Sequence, residues 1–275
     1  MFAVRVEPSW DLDAWRALAR TALLAGVTPD ALSWNGDSQG GFDFGGDLAA
    51  LPVVRSAPRV SKEFLSLASS VLCHRDIHRH ALLYRILWRV ANGERKLLLN
   101  PADPDVHRAR ELEKSVRRDN HKMKAFVRFR EIASDEGETF VAWFEPEHFI
   151  VDRVAPFFAR RFAGMRWAIV TPYRTAVWDG SELSFSAGGS RADVPADDAN
   201  EDLWRTYYSN IFNPARLNPR MMRQEMAQRY WRNLPESHVL GNLIREAGAR
   251  VQEMAEREPE APRRRIPARP KPRED

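Results

Sequence analysis

Apolar positions along this chain switch between two spacings, and each switch marks an element. Phe2 to Val6 alternate as a short strand, and Asp11 to Ala25 follow with helical spacing closed by Gly26. Glycines, aspartates and Ser38 from Asn35 to Gly46 read as a loop, and Ser61 to Leu72 and Ile77 to Asn92 read as helices. In the second, Ile77, Tyr84, Leu87, Trp88 and Ala91 form a stripe facing the core, and Gly93 stops the helix. From Arg108 to His121 the spacing separates Ala109, Leu112 and Val116 from Arg110, Lys114, Arg117 and His121, a basic amphipathic helix.

Alternation then takes over. Ala125 to Glu131 and Thr139 to Glu145 are expected to form a hairpin around Asp135-Glu136-Gly137. Glu147 to Phe162 carries Ile150, Val154, Phe157 and Phe158 at helical spacing, with Pro156 as a kink and Gly164 as a stop. Three further strands, Trp167 to Thr171, Thr175 to Trp178 and Leu183 to Phe185, are joined by Pro172-Tyr173 and Asp179-Gly180 turns. Tight turns join antiparallel strands, so the expected fold is α+β: an antiparallel sheet of about five strands, helices packed on one face, and a helical C-terminal part. Among the closing helices, Asn218-Pro219 marks a start for Pro219 to Trp231. The expected divisions are an N-terminal α+β region over 1–76, a main α+β domain over 77–256, and a disordered tail over 257–275, which holds five prolines and seven basic residues.

Charge changes this picture more than composition does. The total over 275 residues is only +4, yet Arg108 to Arg130 carries +6 and Trp204 to Pro235 carries +5, leaving −7 for the remainder. The second segment sets six arginines against one acid, Glu225, among Trp204, Tyr207, Tyr208, Phe212, Tyr230 and Trp231. Arginine forks match phosphate oxygens and their planes stack on bases, so such segments suit a polyanion. Trp204, Tyr207, Tyr208 and Ile211 recur at helical spacing and read as a buried face, which leaves the arginines as the contacts. The expected nucleic-acid-binding set is Arg110, Lys114, Arg117, His121, Lys122, Arg128, Arg216, Arg220 and Arg223, and the two groups are expected to share one surface. His121-Lys122 reads either as a phosphate cradle, with His121 the candidate acid or base, or as a solvated charged face. Asn213-Pro214 and Asn218-Pro219 stiffen the loop that aims Arg216 and Arg220 at a helix amino terminus.

Other chemistry finds little support. The chain has no glycine-rich dinucleotide fingerprint, phosphate loop, His-Glu-x-x-His or Cys-x-x-Cys, and Cys73 has no second cysteine to pair with. Cys73, His74, His78 and His80 crowd together, but their spacing matches no common zinc site, so no metal or cofactor is expected. No apolar run approaches the ~20 residues that span a bilayer. The amino terminus has no secretory pattern, and the cytoplasm is the expected compartment.

Three runs carry a resemblance: HKMKAFVRFREI, TFVAWFEPEHFIVDRVAPFFARRFAGMRWAIVTPYRTAVWDG and LWRTYYSNIFNPARLNPRMMRQEMAQRYWRNLPE. They resemble a bacterial family labelled "probable DNA metabolism protein", a domain of unknown function, in detail over about Tyr84 to Glu246. The resemblance implies a role in DNA metabolism without a known step, and together with the two basic segments it makes a DNA-binding accessory protein of a repair or modification system the leading expectation. It also implies DNA, a radical S-adenosylmethionine protein and a uracil-DNA glycosylase-like protein as partners. The family has no assigned catalytic residues. This chain lacks the Gly-Glu-x-Pro-Gly and His-Pro-Ser stretches of the fused glycosylases, so uracil excision by it alone is not expected. An enzyme acting on a DNA base or backbone through His121, and a protein-interaction partner of the radical enzyme, are the alternatives.

Overall fold

The computed structural model describes residues 1–35, 46–56, 58–134, 137–194, 242 and 245–247. The chain divides into two compact units, Met1–Asp198 and Ala199–Asp275. In the second unit the described residues are helical and Ala247 is buried.

The first unit opens with strand β1 (Phe2–Val4) and helix α1 (Leu12–Leu24), as the spacing predicts. Asp11 caps α1 by accepting the Ala14 amide at 2.6 Å, and Gly26 ends it at φ 70°, a backbone geometry that costs glycine little. Strand β2 (Leu32–Trp34) pairs parallel with β1 and went unpredicted, because three buried residues carry no periodicity. Helices α2 (Lys62–Val71) and α3 (Arg79–Ala91) follow, with Ser61 capping α2 through the Phe64 amide. Ile77 was expected in the core stripe but is 63% exposed, since α3 begins two residues later; Tyr84 and Leu87 are buried. One apolar core joins residues from Val6 to Leu112, with Trp15, Trp34 and Tyr84 fully enclosed. Each such ring removes some 150–250 Å² from water, on the order of several kcal/mol.

Helix α4 (Pro104–Phe126) is longer than the predicted Arg108 to His121. It absorbs Ala125 and Phe126, which the alternation had assigned to a strand. The helix ends where the Val127 amide bonds the Met123 carbonyl, and pairing begins only at Arg130. Five strands then form one sheet in chain order: β3 (Arg130–Ser134), β4 (Gly137–Trp143), β5 (Arg166–Val170), β6 (Arg174–Trp178) and β7 (Leu183–Ala187). The α+β class and the strand number stand as expected, but the sheet is mixed. β4 and β5 pair parallel, Phe140 opposite Trp167 and Ala142 opposite Ile169. The physical reason is the helix between them: α5 (Val151–Arg161) carries the chain back to the end where β4 began, whereas tight turns enforce antiparallel pairing only in the other three pairs.

Helix α5 packs on β6 and β7, and its Phe158 meets Phe129, Phe162 and Trp167 in the sheet's aromatic core. The last hairpin turns one residue later than the Asp-Gly pair suggested. The Asp179 amide bonds the Glu182 carbonyl at 3.3 Å, so Gly180 and Ser181 are the central residues, with Gly180 at φ 102°.

Candidate functional site

Helix α4 presents two chemically opposite faces. Its start is set by Asp103, whose Oδ1 accepts the Asp105 and Val106 amides at 3.0 and 3.2 Å, with Pro104 at the first helical position. Val106, Ala109, Leu112, Val116 and Met123 are buried, and the helix packs on α2 and α3. Asp119 interrupts this apolar face and is 1% exposed; its Oδ2 accepts the His148 amide at 2.9 Å. The Ser115 hydroxyl lies 2.9 Å from His148 Nε2, so two α4 side chains fasten the loop between β4 and α5. A lone acid within an apolar stripe was the sequence signal for this anchor.

On the opposite face Lys114, Arg117, Arg118 and His121 are exposed. None of them forms a salt bridge or hydrogen bond among the described residues. Lys124, also exposed, lies with Nζ 4.9 Å over the Phe157 ring. Arg118 and Lys124 were missing from the expected set, although helical spacing places them beside Lys114 and His121. Arg110 stands at the edge of the face, half-buried, its guanidinium held by Glu63 at 2.6 Å and Glu113 at 3.1 Å. Lys122 is half-buried, about 100° round the helix from His121. Arg128 lies past the helix end and donates to the Ala125 and Val127 carbonyls. Arg216, Arg220 and Arg223, with their convergence on α4, lie outside the described residues.

The stripe is electrostatically unfavourable in isolation. Lys114 and Arg118, and Arg117 and His121, are i,i+4 neighbours, and like charges at that spacing cost about 0.2–0.5 kcal/mol per pair when both are charged. The helix dipole favours Lys124 in the last turn, but that effect fades within a turn and does not reach Lys114. An anion laid across the face reverses the sign. From Lys114 to Lys124 the stripe runs about 15 Å, and duplex DNA carries one charge per ~1.7 Å of axis, so several phosphates come within reach.

The Cys73–His80 cluster is pulled apart by the fold. Cys73 is buried with its thiol donating to the Ser69 carbonyl, and burial pushes its pKa up to about 11, so it stays protonated at neutral pH. The His80 ring is fully enclosed, parallel to Trp34, with Nε2 donating to the Ser9 carbonyl at 2.7 Å. The His74 ring lies tilted against His148 with centroids 4.1 Å apart, and burial lowers its pKa; His78 is exposed. Among the described residues no three His, Cys, Asp or Glu side chains are placed to hold a metal ion, and no helix is long and apolar enough to cross a membrane.

Residues 77–236 match the model of a domain of unknown function, DUF4130. The chain belongs to that family. Its match spans α3, α4, α5 and the whole five-stranded sheet, so the stripe and its anchors all lie within it. No curated protein and no solved structure matches this chain.

Proposed function

We propose that this protein binds DNA through the outer face of α4, as an accessory component of a DNA repair or modification system. The observation that carries this reading is the exposed run of Lys114, Arg117, Arg118, His121 and Lys124 on a helix whose other face is locked into the core. None of the five forms a salt bridge or hydrogen bond among the described residues, and Lys124 alone has a ring contact. The placement in repair or modification is supported by the family resemblance of the three quoted runs, which also points to a radical S-adenosylmethionine protein as partner.

Contacts of this kind position a backbone and read little sequence, because they reach phosphates and not base edges. The test is the affinity of the full chain for single- and double-stranded DNA at about 50 and about 200 mM salt. With roughly four phosphates neutralised, affinity falls on the order of a hundredfold across that range. Binding that ignores salt, or no binding at the lower salt, removes the proposal.

A further inference from the structure

Because β4 and β5 are parallel, the loops that follow them leave from the same end of the sheet. The first loop brings Phe149 and the start of α5, and the second brings Tyr173 and Arg174. Between them, Trp10 and Cys73 lies a cleft of about 420 Å³, within the size range of small-ligand sites.

Two rings, Trp10 and Phe149, line the cleft, and Tyr173 supports them from outside it. Trp10 stacks on Phe149 at 4.8 Å, and Tyr173 meets both rings edge-on at 5.2 and 5.1 Å. The guanidinium groups of Arg75 and Arg79 sit 5.2 and 5.5 Å from the Phe149 centroid. Arg79 is 5% exposed and tied to the Leu72, Asp76 and Ser9 carbonyls, which pins the segment carrying Trp10.

The cleft is lined by two carboxylates and two guanidinium groups, so its charges sum to zero but are not all paired. Asp11 is occupied as the α1 cap, and Asp152 is paired with Arg174 at 2.8 Å. Arg153 is exposed, donates to the Ser69 hydroxyl at 3.2 Å, and has no carboxylate partner among the described residues. The Arg153 guanidinium, held by the Ser69 hydroxyl and close to the Cys73 thiol, faces a cleft with an indole in its wall, so an anion contact and a stacking surface stand together.

We propose that this cleft takes one nucleotide, its phosphate on Arg153 and its base laid against Trp10. The observations are independent of the α4 stripe. The Cys73 thiol beside it is bonded to Ser69 and held protonated, so it supplies no nucleophile. Two sources share the chemistry: a free mononucleotide, or the phosphorylated end of a strand.

Isothermal titration of the full chain tests this with dAMP, deoxyadenosine, inorganic phosphate, and one single-stranded oligonucleotide with and without a 5′-phosphate. The expected result is saturable binding of dAMP at one site, weaker binding of deoxyadenosine and of phosphate alone, and about tenfold weaker dAMP binding by Arg153→Gln. Trp10→Leu weakens it as well, and Lys114→Glu/Arg117→Glu leaves it unchanged. Preference for the 5′-phosphorylated oligonucleotide identifies the strand end, and equal binding of both oligonucleotides identifies the free nucleotide. Absence of saturable binding by dAMP and by the phosphorylated strand overturns the proposal. So does dAMP binding unaffected by Arg153→Gln in a variant with an unchanged melting curve. Loss of dAMP binding with salt-dependent DNA binding intact sinks the cleft alone, and the converse sinks the α4 reading alone.

Discussion

At the junction of α3 and α4, arginines are consumed by carboxylates. Arg85 reaches Asp105 at 2.9 Å, and Arg89 spans Glu94 at 2.8 Å, Asp103 at 2.7 Å and Asp105 at 3.3 Å. Further along the same helix, Lys114, Arg117 and Arg118 meet no carboxylate among the described residues. The residue chemistry is alike, and the use differs. Arg89 holds both oxygens of the carboxylate that caps α4, so its charge is spent on the fold. The outer stripe contributes little to folding and keeps its charge available to a partner. Total charge hides this distinction, because it counts a spent arginine and a free one equally.

Stability measurements grade the comparison. Arg89→Ala leaves the largely buried Asp103 carboxylate without its bidentate partner, and urea unfolding is expected to show a loss of about 2 kcal/mol. A change near zero would mean that the junction is as dispensable as the stripe. Acid acts on the same pair. Hydrogen bonds from Arg89 hold the Asp103 carboxyl below its ordinary 3.8, so the pair's stabilisation is complete above that value and is lost as pH falls through the lower folded value. Thermal melts from about pH 5 to about pH 2 should therefore fall more steeply for the wild type than for Asp103→Asn.

Arg110 lies between the extremes, since its pairs with Glu63 and Glu113 are partly exposed. Arg110→Ala should cost about 0.5–1 kcal/mol. The smallest effect belongs to Lys114→Ala/Arg117→Ala, within about 0.5 kcal/mol of the wild type and on the stabilising side if relieved repulsion dominates. A loss as large as that of Arg89→Ala would abolish the contrast between the two regions.

The legible part of this molecule is the part written in local spacing. Buried Ala109, Leu112 and Val116 and exposed Lys114, Arg117 and His121 are separated by helical period alone, and the strand number follows from alternation and turns. Local rules also misled. Ala125 and Phe126 alternate with their neighbours yet complete α4, and the parallel pairing of β4 with β5 depends on where α5 returns the chain. Arg110 matched the stripe by period, but its partner Glu63 sits on α2, which no spacing within α4 could reveal. The cleft was illegible for the same reason, as Trp10, Cys73, Phe149, Arg153 and Arg174 meet only through topology.

The central claim, that availability of charge and not its amount makes the α4 face an interface, is tested most directly by a charge-matched pair of variants. Lys114→Glu/Arg117→Glu changes net charge as much as Arg5→Glu/Arg16→Glu, whose arginines lie within 3.7 Å of Glu7 and 3.0 Å of Asp13. With DNA affinity measured for both at about 100 mM salt, the α4 variant should bind at least tenfold more weakly than the control, with a shallower salt dependence. Equal losses in the two variants, or an α4 variant that binds like the wild type, would contradict the account.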